Sequence, residues 1–243
     1  MLVKWAQNGT EVNMHRQIIL YKTLSGVVEA LGEYAIPFIK LQMQNTCDVL
    51  QALITDFKSL NSSGKKRPRV SAEMLEAADG QGHTMRKLLI VICENLALNF
   101  RSDTGAFIQS DIFELLAEPL VVEMLTLVSL GKYYAEFIDK TLKILAFEMI
   151  ERINNDSLWI RFNNAILMKT REEHPWAVRQ SALKVVEHVF SILGERYLVV
   201  LNDTLGFLSE SLEDENPEVE VVAKSIVKRV ETLTGESIQD YLK

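Results

Sequence analysis

The sequence predicts an all-α fold made of stacked antiparallel helix pairs, and a repeated unit in its C-terminal part is the main evidence. Pro175 and Pro217 each open an apolar helix, as expected of proline, whose missing N–H would be unpaired at a helix start. Val178 and Val219 hold equivalent places and are 41 residues apart, within the roughly 40–47 residue period of HEAT-type repeats. No alternating β-branched runs joined by tight turns are seen. We therefore predict a HEAT-like α-solenoid, in which neighbouring units bury one another's apolar faces and function depends on the surface.

The N-terminal part, residues 1–60, is predicted to form one helix pair or more. Apolar residues recur every three or four positions over 14–31, which places them on one helical face. Gly32 is expected to end this helix, because glycine readily adopts the left-handed conformation found there. A second helix is predicted from about 37 to 60. The Leu-Gly-Glu that follows the first helix occurs again at 193–195, which favours repetition along the chain.

Residues 61–82 interrupt the helical pattern and are predicted to form a flexible, exposed loop with a short helix over 71–78. The segment begins with Asn-Ser-Ser-Gly and ends with Asp-Gly-Gln-Gly, a composition typical of loops. Its basic cluster consists of Lys65, Lys66, Arg67 and Arg69. The cluster has two interpretations: a solvated loop without a function, or a nuclear-import or RNA-contact site.

Residues 83–243 are predicted to form the helical repeat array. Helices are expected near 83–100, 107–130, 132–154, 157–171, 175–193, 197–213 and 217–234. Pro119 should bend or divide the second of them. Trp159 and Trp176 begin successive helices and are expected to pack between layers, with an interface role as the alternative for each. Arg179 is expected to pair with an acid of the neighbouring repeat.

Charge is distributed unevenly along this acidic chain. The 243 residues have a formal net charge of −7, which argues against a broad nucleic-acid-binding face. Residues 197–223 contain seven Asp and Glu but no Lys or Arg. This segment is either a solvated helix face and loop or an acidic dock for a basic partner. The candidate dock residues are Glu213, Asp214, Glu215 and Glu218.

Residues with catalytic or metal-binding chemistry do not form a recognisable pattern. The four histidines, His15, His83, His174 and His188, are scattered, so we expect no metal and no cofactor. The pair Glu172-Glu173 precedes a proline-started helix and is interpreted as stabilising its N-terminus, not as an acid/base pair. Cys47 and Cys93 lie in apolar helical segments, which favours buried thiols and a reducing compartment. We expect no enzyme activity, no small-molecule substrate and no membrane segment.

An ordered set of short motifs resembles a known family. The motifs are DSLW (156–159), ILMKTR (166–171), VR (178–179), LGERY (193–197), FLSESLEDE (207–215) and GESIQDY (235–241). At these spacings they resemble the C-terminal region of the HEAT repeat-containing protein 1 family, small nucleolar RNA-associated components of the small-subunit processome. The resemblance is clearest over 155–243 and weaker over 10–60 and 83–154. Since members of that family are far longer, we expect the chain to correspond to their C-terminal piece.

The resemblance implies a non-catalytic scaffold in ribosome biogenesis, located in the nucleus and nucleolus. It further implies a requirement in pre-rRNA processing, a link to rRNA transcription, and processome proteins as partners, with small nucleolar RNA and pre-rRNA contacted indirectly through the complex. The alternative is a cytoplasmic HEAT-repeat adaptor for transport or phosphatase assembly, because that class uses the same fold.

Overall fold

The computed structural model describes residues 11–62 and 72–241, and these ranges are helical and contain no β-strand. The helices are α1 (Glu11–Leu31), α2 (Ile36–Lys40), α3 (Met43–Ser62), α4 (Ala72–Ser102), α5 (Ser110–Leu116), α6 (Tyr134–Phe137), α7 (Lys143–Ile153), α8 (Asp156–Leu167), α9 (Trp176–Leu193), α10 (Leu201–Leu212) and α11 (Pro217–Thr234). A π-helical turn, Ala117–Val122, extends α5, and a second, Ile138–Leu142, joins α6 to α7. None of the described helices is both long and apolar enough to cross a bilayer.

The helices alternate between two layers as the chain proceeds. In one layer α1, α4, α7, α9 and α11 follow each other, each packed against the next. In the other layer α3, α5 with its π-helical turn, α8 and α10 do the same. Helices that follow one another in sequence also pack across the layers, as α9 does with α8 and α11 with α10. This arrangement is an α-solenoid, which confirms the fold class predicted from the sequence.

The 41-residue repeat corresponds to equivalent places in the core. Val178 and Val219 are both buried, and so are Ala182 and Ala223, four residues further along their helices. The helices that carry these residues, α9 and α11, pack against each other. A helix of this kind exposes its apolar stripe unless a neighbour covers it, so the stacking of units stabilises each of them.

Two helices of the layer that contains α1 and α9 end at a glycine in the same manner. Gly32 follows α1 and Gly194 follows α9, and each has φ of +57°. Residues with a Cβ rarely adopt this backbone conformation, so glycine permits the chain to turn directly. A 3₁₀ turn follows in both places, Gly32–Ala35 and Gly194–Val200, and leads towards the second layer. The helix end predicted at Gly32 is therefore observed.

The π-helical turn after α5 contains the proline that the sequence predicts as a bend. Pro119 has no N–H to donate, and its ring would clash with the carbonyl of an ordinary helical turn. The wider turn over Ala117–Val122 accommodates it while Leu120 and its two valine neighbours stay buried. The helix continues through the turn, so Pro119 distorts it and does not divide it.

Part of the interruption predicted over 61–82 is helical. Helix α3 continues to Ser62 and α4 begins at Ala72, so residues 72–82 are helical. The helix formers of Ala72-Glu-Met-Leu-Glu-Ala-Ala78 offset the cost of roughly 1 kcal/mol for each glycine that follows. The basic cluster lies within 63–71, outside the described residues.

The two tryptophans at helix starts have different environments. Trp159 is 1% exposed, donates from Nε1 to the Ile150 carbonyl at 2.9 Å, and lies beside the Tyr197 ring, so its predicted position between layers is confirmed. Trp176 is 47% exposed, and the prediction that it packs between layers is wrong. Its position at the start of α9 places it on the face of Gln180 and Lys184, away from the buried valines.

This difference leads to a stability prediction. Trp159→Ala should lower the free energy of unfolding by about 3–5 kcal/mol, because it removes a buried ring that the layers cannot collapse to replace. Trp176→Ala, the matched control, should change it by less than about 1 kcal/mol. Urea denaturation followed by circular dichroism measures both, and similar losses for the two variants would contradict the assigned environments.

Candidate functional site

A buried ion pair joins α9 to the turn between α10 and α11. Arg179 donates from Nε to Asp214 Oδ2 and from Nη2 to Oδ1, both at 2.7 Å. Its Nη1 donates to the His174 carbonyl at 2.8 Å. Both side chains are 6% exposed. The pairing of Arg179 with an acid of the neighbouring repeat, expected from the sequence, is therefore observed.

The local sequence explains why Asp214 is held in place. Its Oδ1 also accepts a hydrogen bond from the Asn216 backbone N–H at 2.8 Å. Asn216 in turn caps α11, because its side chain accepts from the Glu218 N–H at 3.0 Å and Pro217 begins the helix. Arg179 follows the buried Val178 in α9 and is itself buried. The pair thus connects two consecutive repeats.

The charge of this pair is retained in the folded chain. Burial alone would raise the pKa of Asp214, but the hydrogen bonds from Arg179 and the Asn216 N–H, together with the guanidinium charge, lower it below its ordinary value. The hydrogen bond to Asp214 raises the pKa of Arg179. The ion pair therefore persists at neutral pH and into mildly acidic conditions.

An acidic groove of about 590 Å³ opens over the ion pair. Its lining consists of Thr170, Arg171, Glu172, Glu173, Arg179, Glu210, Glu213, Asp214 and Glu215. Six carboxylates thus face two guanidinium groups. Arg179 is engaged by Asp214, and Arg171 donates from Nη1 to both oxygens of Glu210, at 2.8 and 2.7 Å. The groove therefore has a strong excess of negative charge.

The repeat period brings these acids together. Glu172-Glu173 precede the proline that starts α9, and Glu213-Asp214 precede the proline that starts α11, at the same spacing of 41 residues. Stacked repeats place equivalent turns side by side, so the acids of one turn lie next to those of the following turn. From the local sequence alone, Glu172-Glu173 are predicted only to stabilise a helix start. The missed signal was their equivalence, through the period, with the predicted dock.

The four predicted dock residues have different roles in the structure. Glu213 and Glu215 are exposed and line the groove. Asp214 also lines the groove, but its carboxylate is buried and already paired with Arg179. Glu218 is exposed at the start of α11, outside the lining of the groove, and accepts a hydrogen bond from Gln180 at 3.2 Å.

The chemistry of the groove suits binding of positive charge. Exposed carboxylates attract the ammonium or guanidinium groups of Lys and Arg. The electrostatic attraction of several carboxylates adds up over a groove of this size. Among the described residues no group of three or more His, Cys, Asp and Glu is arranged to hold a metal ion. The exposed carboxylates of the groove are chemically suited to pair with basic groups.

Comparison with known proteins agrees with the resemblance seen in the sequence. No protein-family model matches the chain. Over 157 residues, 64% of the chain, it is 33% identical to HEAT repeat-containing protein 1 homolog from Dictyostelium discoideum. Over 154 residues, 63% of the chain, it is 34% identical to HEAT repeat-containing protein 1 from Homo sapiens. Over its whole length it is 26% identical to U3 small nucleolar RNA-associated protein 10 from Kluyveromyces lactis.

These matches confirm the resemblance to HEAT repeat-containing protein 1. They cover 7%, 7% and 12% of the three relatives, so the chain spans only a small part of the length of each. The similarity therefore concerns a segment of those proteins, and their whole activities do not transfer with it.

The buried ion pair generates a first prediction. Arg179→Met should lower the free energy of unfolding by about 3–5 kcal/mol, because it leaves the Asp214 carboxylate buried without its partner. Arg171→Met removes the exposed pair with Glu210 and should cost less than about 1 kcal/mol. Denaturant melts of both variants give the comparison, and an equal loss would show that the burial of Arg179 has no energetic consequence.

The pKa of Asp214 generates a second prediction. Since its folded pKa lies below the ordinary 3.8, its stabilising effect is present at neutral pH and is lost as pH falls through the folded pKa. The wild-type chain should therefore exceed Asp214→Asn in unfolding free energy at pH 7, and the difference should shrink below about pH 4. Urea melts across this range measure it. A difference that does not change with pH would contradict the assignment.

Proposed function

We propose that this chain is a non-catalytic protein-interaction scaffold in ribosome biogenesis. Within this proposal it is a component of the small-subunit processome, is needed for pre-rRNA processing, is linked to rRNA transcription and is located in the nucleolus. The observation that supports it most directly is the match, over the whole chain, to a protein named for its association with U3 small nucleolar RNA. A helical array whose described surface offers grooves fits a protein that acts by holding partners.

The acidic groove is proposed as one partner-binding surface. Glu172, Glu173, Glu213 and Glu215 lie around it, while Asp214 keeps the two repeats joined beneath. The buried pair fixes the positions of the turns, so the exposed acids are presented without a large ordering cost. We propose that the groove binds a Lys- or Arg-rich segment of another processome protein.

An exposed apolar stripe supports protein contacts as the mode of action. Leu31 at the end of α1, and Tyr34, Phe38 and Leu41 along the following turn and α2, are all more than half exposed. Exposed large apolar side chains that lie near one another commonly mark contact with another protein.

Contacts with RNA are proposed to be mainly indirect, through the complex. The acidic groove repels phosphate, and the chain has an overall negative charge. The sequence motif Lys65, Lys66, Arg67 and Arg69 remains a candidate import or RNA-contact segment. If it binds RNA, its few charges would give weak, steeply salt-dependent affinity.

Charge reversal tests the proposed function. A tagged chain should be enriched in nucleoli and should recover processome proteins from nuclease-treated nucleolar extract. Glu213→Lys with Glu215→Lys should reduce that recovery at least severalfold, because both charges line the groove. Glu215 lies 3.9 Å from Arg179 Nη2, but both short hydrogen bonds from Arg179 to a carboxylate go to Asp214, so the buried pair remains. The matched control reverses the exposed acids Glu195 and Asp203, which do not line the groove, and should leave recovery unchanged.

Other outcomes separate the proposal from its competitors. If nuclease treatment abolishes recovery, the chain contacts processome proteins through RNA and not directly. A cytoplasmic chain that recovers no processome protein would contradict the nucleolar scaffold and favour the adaptor class. Equal loss from the groove and control variants would show that overall charge, and not the groove, is responsible.

A further inference from the structure

A second groove, of about 270 Å³, lies between α6 with its π-helical turn and the start of α9. Tyr134, Ile138 and Ala177 contribute to its apolar floor, and Trp176 lies at its edge. Lys132 and Lys184 complete the lining. This volume lies just below the roughly 300–1,000 Å³ that small-molecule sites occupy, so it suits one large side chain.

Local sequence explains why this groove exists. Gly131, with φ of +57°, turns the chain sharply before α6 and leaves Lys132 exposed at the mouth. On the other side Trp176 is the first residue of α9, and the buried residues of that helix begin at Val178. Beneath the groove the Tyr134 hydroxyl donates to the Leu125 carbonyl at 2.5 Å, which fixes the floor.

The indole of Trp176 is available for binding. Nearly half of this residue is exposed, although tryptophan carries the largest apolar surface of any side chain. Exposed tryptophans beside a cavity are frequent as anchors of protein contacts, where they contribute most of the binding energy. The neighbouring Tyr133 differs, because the Arg86 guanidinium already lies 3.6 Å from the centre of its ring.

The charge at the groove is opposite to that of the acidic groove. Lys184 Nζ lies 3.6 Å from Asp139, a weak pair that leaves part of its charge available. Lys132 has no carboxylate within ion-pair distance in the described part of the chain, and its ammonium lies 5.1 Å from the Tyr133 ring centre. A ligand that places a carboxylate near Lys132 while an apolar side chain fills the floor would satisfy both features.

We propose that this second groove binds an acidic peptide segment of a partner protein, with one aromatic or large aliphatic side chain in the cavity beside Trp176. Its carboxylates pair with Lys132 and Lys184. Single-stranded RNA fits less well, because stacking of successive bases needs several free aromatic faces and Tyr133 is already covered. The inference goes beyond the proposed function, since it concerns a ligand class that the acidic groove would repel.

Peptide selection on the purified chain tests this inference. A phage-displayed library of random linear peptides should yield sequences with an aromatic or large aliphatic residue close to Asp or Glu. Fluorescence polarisation of a labelled selected peptide should show about tenfold or greater weakening for Trp176→Ala. Lys132→Glu, on an exposed turn where folding is not at risk, should weaken it about threefold or more, and most strongly at low salt.

Matched controls lie on α11, away from the groove. Val221→Ala removes an exposed apolar side chain and Lys228→Glu reverses an exposed lysine, and both should leave the affinity unchanged. Selected peptides without acidic residues, or equal affinity of the Trp176→Ala and Val221→Ala chains, would overturn the inference. So would labelled oligo(U) that binds the chain in a Trp176-dependent way while no peptide does. None of these results depends on nucleolar location or on Glu213 and Glu215, so this test and that of the proposed function fail separately.

Discussion

Each helix of this chain has an apolar face that only a neighbouring unit can cover, and the rest of the structure depends on this constraint. Because α9 buries Val178 and Ala182 against its neighbours, α11 must present Val219 and Ala223 one period later. The constraint determines helix spacing, the two-layer order and the short turns between layers. It also determines where surface features recur, since equivalent turns of successive units lie side by side.

The acidic groove is a direct consequence of that register. Acids before a proline-started helix contribute only tenths of a kcal/mol to the helix N-terminus when considered singly. Stacking places two such turns together, and mutual repulsion would then oppose the packing. Arg179 offsets part of this repulsion by pairing with Asp214, whose side chain is 6% exposed. Asp214 therefore serves the fold and Glu210 is paired with Arg171, while Glu172, Glu173 and Glu213 are exposed around the groove.

The sequence could predict features that depend on periodicity and on backbone chemistry. The all-α class, the stacked repeats, the helix end at Gly32, the distortion at Pro119 and the pairing of Arg179 all follow from local patterns. The expectation that Trp176 is buried depends on its size and its place at a helix start. The helical period instead places it on the polar face of Gln180 and Lys184, away from Val178. The extent of α4 was also missed, since the glycines near its start resemble a loop although the chain there is helical. The two grooves could not be predicted either, because their shape depends on the register between helices, and no single segment of the sequence specifies that register.

Two grooves of opposite charge on one array have a consequence for partner choice. Each repels what the other attracts: the acids near Glu213 disfavour an acidic segment, and Lys132 disfavours a basic one. Discrimination then comes from repulsion as well as attraction, which is more selective than apolar contact alone. The residues beneath the two grooves also differ in chemistry. The acidic groove rests on a buried ion pair that joins repeats, whereas the second groove rests on an apolar floor with an exposed tryptophan. Acidification should therefore lower the charge of the acidic groove and, through Asp214, the stability of the turn beneath it, whereas Lys132 and Lys184 of the second groove stay charged.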